Sequence, residues 1–169
     1  KGLQSTIASR NVDVVYGDGR LVSPTAVRVG DTVYEGAHVV LATGSEARSL
    51  PGLAIDGQRI ITSDQALTLD RVPESVVILG GGVIGVEFAS IWRSFGAEVT
   101  IVEMLPHLLP PEDESSSKLL ERAFRRRGIA YQLGARFEGV KEAPDGLTIT
   151  LEGGKTLNTE LMLVAEAEN

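Results

Sequence analysis

A glycine-rich turn between two strand-like runs is the feature that most limits how this chain can fold. The apolar run Val76–Leu79 leads into Gly80-Gly81-Gly82-Val83-Ile84-Gly85, and a stretch with helical periodicity follows. A second apolar run, Val99–Val102, ends in Glu103, close to the spacing of about 20 residues that a nucleotide fingerprint shows. A strand, a G-x-G-x-x-G turn, a helix and a strand ending in an acid predict a dinucleotide-binding βαβ unit.

The chemistry of a pyrophosphate explains why glycine is needed at three positions of this turn. Gly80 permits the tight turn out of the strand, and Gly82 lets the backbone approach the phosphates. Gly85 allows the following helix to pack closely on the strands. The amino terminus of that helix would then offer unpaired N–H groups and a partial positive charge, so a lysine is not required.

The stretch after the turn has the periodicity of an amphipathic helix that ends at Gly96. Its apolar residues recur at helical spacing and are predicted to form one core-facing side. They are Ile84, Phe88, Ile91, Trp92 and Phe95.

Glu103 predicts which nucleotide the site prefers. A carboxylate at the end of the second strand accepts hydrogen bonds from the adenosine ribose and repels a 2′-phosphate. The next residues, Met104-Leu105-Pro106, include no arginine that could hold such a phosphate. The sequence therefore predicts NAD rather than NADP, the alternative being that Glu103 is only a solvated acid at a strand end.

The composition narrows the class of protein further. The 169 residues carry a net charge of −7, which disfavours nucleic acid as a partner. The sequence has no cysteine and two distant histidines, so neither thiolate chemistry nor a metal site is expected in it. An apolar run of about 18 residues, as a membrane helix needs, is absent, and we expect a soluble cytoplasmic protein that does not contact a membrane.

Short β-strand patterns dominate the chain before the glycine-rich turn. Residues 12–42 alternate valine-rich runs with Gly/Asp turns and predict a small β-meander, which ends in a strand over His38–Ala42. Ser49–Gly52 is typical of a linker, and a short helix is predicted around Asp64–Leu69.

The second half of the chain alternates helical and strand patterns. A predicted helix begins near Glu112 and ends with Arg125–Arg127 and Gly128, which complements the helix dipole at both ends. Its buried side is predicted to be Leu119, Leu120, Ala123 and Phe124. Strand patterns follow at Ile129–Leu133, Phe137–Val140, Leu147–Leu151, Lys155–Leu157 and Leu161–Ala165.

These patterns together predict an α/β fold. We expect a Rossmann-like parallel sheet with helices on both faces and an antiparallel β-meander crossover, preceded by the small β-meander. The nucleotide would lie at the carboxyl ends of the parallel strands.

The motifs resemble those of the flavin-dependent pyridine-nucleotide disulfide oxidoreductases, most closely the members that oxidise dihydrolipoamide. The resemblance covers nearly the whole chain and rests on Val39–Ser45, Leu50–Gly52, Val72–Glu74, Gly80–Glu87 and Val99–Glu103. It implies that residues 1–48 are the end of an FAD-binding domain, with meander and strand, and that residues 49–169 are the NAD-binding domain. It also implies a parent enzyme that passes electrons from dihydrolipoamide to NAD through FAD and a redox-active disulfide.

The resemblance also implies which residues contact each cofactor. The NAD pyrophosphate turn would be Gly80, Gly81, Gly82, Val83, Ile84, Gly85, Val86 and Glu87. Within the NAD site, Glu87 would lie near the nicotinamide, Glu103 at the ribose and Phe137 at the adenine. The residues that resemble FAD contacts are Gly19, Thr43, Gly44 and Ser45.

Several parts of the family pattern lie outside these 169 residues. They include the FAD fingerprint, the redox cysteine pair, and the catalytic histidine and acid. In addition, Val164-Ala165 continues into Glu166–Asn169 where the family has a Gly-Arg motif. We therefore expect a central fragment that has no catalytic residue and does not turn over alone. Its parent is expected to be a homodimer and part of a 2-oxoacid dehydrogenase complex.

Two alternatives stay open at this point. The parent could be another flavoprotein of the family that uses NADH to reduce a disulfide, a peroxide or mercuric ion. The chain could instead be a free-standing NAD-binding or interaction module without catalysis, although the short β-meander has little core of its own.

Overall fold

The computed structural model describes residues 2–44 and 49–165. The chain divides into two units, Lys1–Gly44 and Ser45–Asn169, and each is described by itself. The division predicted after residue 48 also assigned a cofactor to each part, and that assignment stays a prediction.

The first unit is built around the expected β-meander. Three antiparallel strands follow one another in the sheet order β1-β2-β3, and Val29 pairs with Thr32 across the predicted Gly30-Asp31 turn. A helix, α1, precedes them and was not predicted. The elements are α1 (Gly2–Ser9), β1 (Gly19–Ser23), β2 (Ala26–Val29) and β3 (Thr32–Glu35).

Two segments of the first unit that were predicted as strands are not strands. Residues 12–15 and 38–42 have no regular secondary structure, and Val12, Val40 and Leu41 are exposed. An extended segment becomes a strand only when a neighbour receives its backbone hydrogen bonds. Among residues 2–44, β1, β2 and β3 pair with one another and not with these segments.

The second unit contains the predicted parallel sheet. Five strands lie in the order β4-β11-β5-β6-β7, all parallel, with Leu79 of β5 paired to Val102 of β6 and to Val164 of β11. The strands are β4 (Ile60–Ile61), β5 (Ser75–Leu79), β6 (Glu98–Glu103), β7 (Ala130–Leu133) and β11 (Leu161–Val164). The short edge strand β4 was not predicted.

Three helices connect these strands within residues 49–165. They are α2 (Ser63–Thr68), α3 (Val83–Phe95) and α4 (Glu114–Arg127), close to the predicted ranges. Helices α3 and α4 both end at a glycine in the left-handed conformation, Gly96 and Gly128, as the sequence indicated. Arg127 then ties α4 to α3 through hydrogen bonds to Ser90 and Ser94.

The crossover from β7 to β11 passes through a second, antiparallel sheet rather than a helix. Its strands are β8 (Phe137–Ala143), β9 (Gly146–Leu151) and β10 (Thr156–Thr159), in the order β10-β9-β8. The predicted hairpin at Pro144-Asp145-Gly146 is therefore confirmed, with Ala143 paired to Gly146.

The two faces of the parallel sheet bury different partners. Along β5, Val76 and Ile78 belong to a core shared with α2, α3 and α4, whereas Val77 and Leu79 belong to a core shared with β9. The α/β class is confirmed, but the expected helices on both faces are not observed among the described residues. The second face is covered by the antiparallel sheet because the crossover there is a meander.

The predicted apolar faces of α3 and α4 are partly wrong. Phe88 and Trp92 are buried, but Ile91 and Phe95 lie on an exposed flank of α3. Ile91 is 45% exposed and Phe95 is 66% exposed. On α4, Phe124 is buried while Leu119 is exposed. An apolar stripe wider than the contact with the sheet leaves its outer members in solvent. Along the described residues, no helix has both the length and the apolar character needed to cross a bilayer.

Candidate dinucleotide site

The turn between β5 and α3 is shaped by contacts that only glycine permits. Gly80 has φ of +103° and donates its N–H to the carbonyl of Val102 at 2.9 Å, which joins the turn to the end of β6. A Cβ on Gly85 would lie 2.0 Å from the carbonyl oxygen of Gly80. The predicted reasons for these two glycines, a tight turn and close helix packing, agree with this geometry.

Gly82 has a different environment. It is the N-cap of α3, and a Cβ built on it would meet no atom of the described chain within 4 Å. The space it faces lies at the amino terminus of a 13-residue helix, where the first N–H groups have no partner inside the helix. Such a position suits an anion that approaches the backbone, so the residues present fit the pyrophosphate of a dinucleotide.

Glu103 holds the glycine-rich turn through its side chain. Its Oε2 accepts a hydrogen bond from the N–H of Gly81 at 2.6 Å, and its Oε1 accepts one from the N–H of Leu105 at 2.8 Å. The residue is 8% exposed, so the reading of Glu103 as a solvated acid does not hold. Because each carboxylate oxygen can accept two hydrogen bonds, the side chain keeps acceptor capacity for a ribose.

The segment after Glu103 braces the turn from its other side. Leu109 donates its N–H to the carbonyl of Gly81 at 2.8 Å, and a Cβ on Gly81 would lie 2.7 Å from Cδ2 of Leu108. Leu108 is in turn fixed by its N–H, which donates to Oε1 of Glu121 on α4. No local sequence pattern indicates these contacts, because they join α4 to a turn some 40 residues earlier.

A cleft of about 410 Å³ opens beside the turn, at the carboxyl ends of β5 and β6. Phe137, predicted at the adenine, lines this cleft together with Gly80, Met104 and Arg136. The structure therefore brings Phe137 and the glycine-rich turn together. A larger groove of about 830 Å³ runs past Ser75 at the opposite end of β5, where nucleotides do not bind in open α/β sheets.

The other predicted NAD contacts lie on the first turns of α3. Val83 and Glu87 are exposed, Ile84 is half-buried and Val86 is buried. Val86 donates its N–H to the carbonyl of Gly82 at 3.0 Å, so its backbone continues the helix. Glu87 is thus free to face a ligand, whereas the side chain of Val86 belongs to the core.

The residues predicted at the FAD lie in the first unit or outside the described residues. Gly19 begins β1 and pairs with Val29, while Thr43 and Gly44 are exposed and lie outside regular secondary structure. Ser45 falls outside the described residues, as does the Glu166–Asn169 segment that departs from the family pattern. In the described ranges, groups of three or more potential metal ligands are absent.

Comparisons with known proteins find relatives along nearly the whole chain. A sequence model of the family described as pyridine nucleotide-disulphide oxidoreductase matches residues 1–166. Leghemoglobin reductase of Vigna unguiculata is 38% identical over 98% of this chain and 34% of its own length. Dihydrolipoyl dehydrogenase 3 of Pseudomonas putida is also 38% identical, over 98% of this chain and 38% of its own.

Solved structures show the same likeness. LpdA from Mycobacterium tuberculosis has a TM-score of 0.82 at 30% identity, covering 96% of this chain and 38% of its own. The HOCl-induced flavoprotein disulfide reductase RclA from Escherichia coli has a TM-score of 0.74 at 29% identity, covering 93% and 36%. The chain spans a little over a third of the length of these relatives.

Proposed function

Because this chain belongs to the pyridine nucleotide-disulphide oxidoreductase family, we propose that it is the NAD-binding part of a dihydrolipoamide dehydrogenase. Residues 49–169 would form the NAD-binding domain and residues 1–48 the end of the FAD-binding domain. The observation that carries the proposal is the open space at Gly82, the N-cap of α3, together with the buried carboxylate of Glu103 that binds the N–H of the adjacent Gly81.

Each part of the site has a role in this proposal. The N–H groups of the first turn of α3, after Gly82, bind the pyrophosphate, and Glu103 accepts hydrogen bonds from the adenosine ribose. Phe137 contacts the adenine in the adjoining cleft, and Glu87 lies toward the nicotinamide end. NAD, when bound, supplies a carbon that accepts a hydride, and the chain itself provides binding and orientation.

The activity of the parent is part of the same proposal. Dihydrolipoamide would be oxidised by NAD through FAD and a redox-active disulfide, in a cytoplasmic homodimer attached to a 2-oxoacid dehydrogenase complex. The relative from Pseudomonas putida supports this substrate. A further relative, the dihydrolipoyl dehydrogenase of Pisum sativum, is named as mitochondrial, which makes the mitochondrion the alternative compartment. Gly19, Thr43, Gly44 and Ser45 would touch the FAD.

A second candidate function within the family is supported by the similarity to RclA, a flavoprotein disulfide reductase. In that case the parent would use NADH to reduce another disulfide, a peroxide or mercuric ion. The parent's sequence distinguishes the two: a C-x-x-x-x-C pair upstream together with histidine and glutamate downstream favours a disulfide substrate. A native product that consists of residues 1–169 alone would instead favour a non-catalytic module.

Titration with NADH tests the site itself. We expect NADH to bind the wild-type chain without flavin, and Gly82→Leu to weaken binding at least about tenfold because the side chain fills the space for the phosphates. Gly139→Leu is a matched control, since a Cβ on Gly139 of β8 also meets no atom within 4 Å. Equal affinity of wild type and Gly82→Leu would reject the assignment.

Turnover of the chain is measured separately. The described residues include no cysteine, so we expect residues 1–169 to show no reduction of NAD by dihydrolipoamide. Measurable turnover without added protein would contradict the proposal that the redox-active groups of the parent lie outside residues 1–169.

A further inference from the structure

Arg136 lines the cleft beside the glycine-rich turn, although the residues that directly follow Glu103 include no arginine. Arg136 lines the cleft with Met104 and Phe137, and its Nη2 is 3.8 Å from Sδ of Met104, the residue that follows Glu103. Within the described ranges, its guanidinium forms no ion pair with a carboxylate. The guanidinium of Arg136 therefore contacts the residue that directly follows Glu103 in sequence, on the cleft side of the turn.

The backbone holds Arg136 in this place. Ala135 donates its N–H to the carbonyl of Glu103, and Gly134 donates to the carbonyl of Leu105, both at 3.0 Å. The carbonyl of Arg136 accepts a hydrogen bond from Glu152 at 2.8 Å. Hydrogen bonds on both sides fix the Cα of Arg136, so its side chain reaches the cleft from a rigid base even though it is exposed.

The charges around the ribose position are therefore mixed. Both oxygens of Glu103 already accept backbone N–H groups, from Gly81 and Leu105, which spread part of their negative charge. A guanidinium presents several N–H donors in a planar fork that matches a phosphate group. A phosphate on the ribose 2′ position would meet the repulsion of one carboxylate and the attraction of one arginine.

We propose that Arg136 is a specificity-determining residue that lets this site bind 2′-phosphorylated dinucleotides. The inference rests on the proposed function, because it needs the adenosine ribose to lie at Glu103. NADP(H) then binds with an affinity that depends on Arg136, and the preference for NAD is smaller than Glu103 alone would impose. The run Met104-Leu105-Pro106 contains no arginine, and Arg136 lies 32 residues further along the chain than Met104, so only the fold brings it to this position.

Calorimetric titration of the chain with NADH, NADPH, 5′-AMP and 2′,5′-ADP tests the proposal at low ionic strength. We expect Arg136→Gln to weaken NADPH and 2′,5′-ADP at least about tenfold and NADH and 5′-AMP less than about twofold. Arg126→Gln removes an equal charge from the exposed last turn of α4, and we expect it to leave the affinities for all four ligands unchanged. Salt should weaken NADPH more in the wild type than in Arg136→Gln.

Three results would overturn the inference. Wild-type protein that binds NADH but not NADPH would do so, as would Arg136→Gln with unchanged NADPH affinity. Equal losses for 5′-AMP and 2′,5′-ADP would also overturn it, by showing that the guanidinium contacts the base. Failure of the wild type to bind NADH, or full NADH affinity in Gly82→Leu, would instead reject the proposed function.

Discussion

The carboxylate of Glu103 accepts a hydrogen bond from the backbone N–H of Gly81 across 2.6 Å. The acid at the end of β6 is thus a structural support of the glycine-rich turn as well as a candidate ribose ligand. Its other oxygen binds the N–H of Leu105 and so anchors the segment that follows the strand. Removing this carboxylate therefore changes the shape of the site and the chemistry of the site together.

Replacing Glu103 tests this double role. Glu103→Gln keeps the size and shape of the side chain but turns an NH₂ group toward one of the two backbone N–H donors. We therefore expect a loss of about 1.5–3 kcal/mol in the free energy of unfolding. We expect NADH affinity to fall as well. Urea unfolding followed by the fluorescence of Trp92, the single tryptophan, reports on the second unit.

The matched control is Glu98→Gln, at the exposed start of the same strand, for which we expect less than about 0.5 kcal/mol. Adding an arginine to Glu103→Ala should move preference toward NADP, but on a destabilised turn. A Glu103→Gln protein as stable as the wild type would show that the backbone hydrogen bond lost in the variant contributes nothing to folding.

Asp56 gives the second unit a dependence on acid. Burial raises the pKa of its carboxyl, but hydrogen bonds from the N–H groups of Gln58, Ile60 and Arg59 outweigh this and lower the pKa below 3.8. A carboxyl whose pKa is lower in the folded state stabilises above about pH 4 and loses that contribution as the pH falls through the folded value.

We therefore expect Asp56→Asn to lower the free energy of unfolding by about 1 kcal/mol at pH 6, a modest figure because the group is exposed. The difference from wild type should shrink steadily between pH 4 and the folded pKa. Asp70→Asn, at another exposed carboxyl of the unit, is the control. A difference that stays constant down to pH 2 would contradict the ionic origin of the effect.

Replacing the two phenylalanines of α3 by alanine should change the free energy of unfolding by very different amounts. Phe88 is 9% exposed and lies 5.1 Å from the ring centre of Trp92, so Phe88→Ala is expected to cost about 3–5 kcal/mol. Phe95 is 66% exposed, and Phe95→Ala should change stability by less than about 0.5 kcal/mol. Urea unfolding followed by circular dichroism measures both, and similar costs would mean that the exposed flank of α3 is covered in solution.

The glycine-rich turn was predictable because its determinants are local. Gly80, Gly82 and Gly85 lie within six residues, and each answers a requirement of the backbone that is visible in the sequence pattern. The helix that follows was predictable for the same reason, from its periodicity and its glycine stop. The exposure of Ile91 and Phe95 was not, because periodicity says which residues share a side and not how wide the neighbouring surface is.

The strands of the first unit also show that a local sequence pattern does not decide tertiary contacts. Gly30-Asp31 lies between β2 and β3 as expected, since a hairpin pairs with its own neighbour in sequence. Residues 38–42 have an equally strong strand pattern but no pairing partner among residues 2–44. A strand pattern gives the preference of a segment, and the hydrogen-bonding neighbour decides whether a strand forms.

By itself, the order of amino acids determined the βαβ unit and its phosphate turn, since a few adjacent residues set these through backbone sterics and periodicity. Only the tertiary structure decided that Glu103 supports Gly81, that Leu108 and Leu109 brace the turn, and that Arg136 stands beside Met104. These contacts join segments far apart in the chain. Their geometry is fixed by how strands pair and cores pack, which no short stretch of sequence contains.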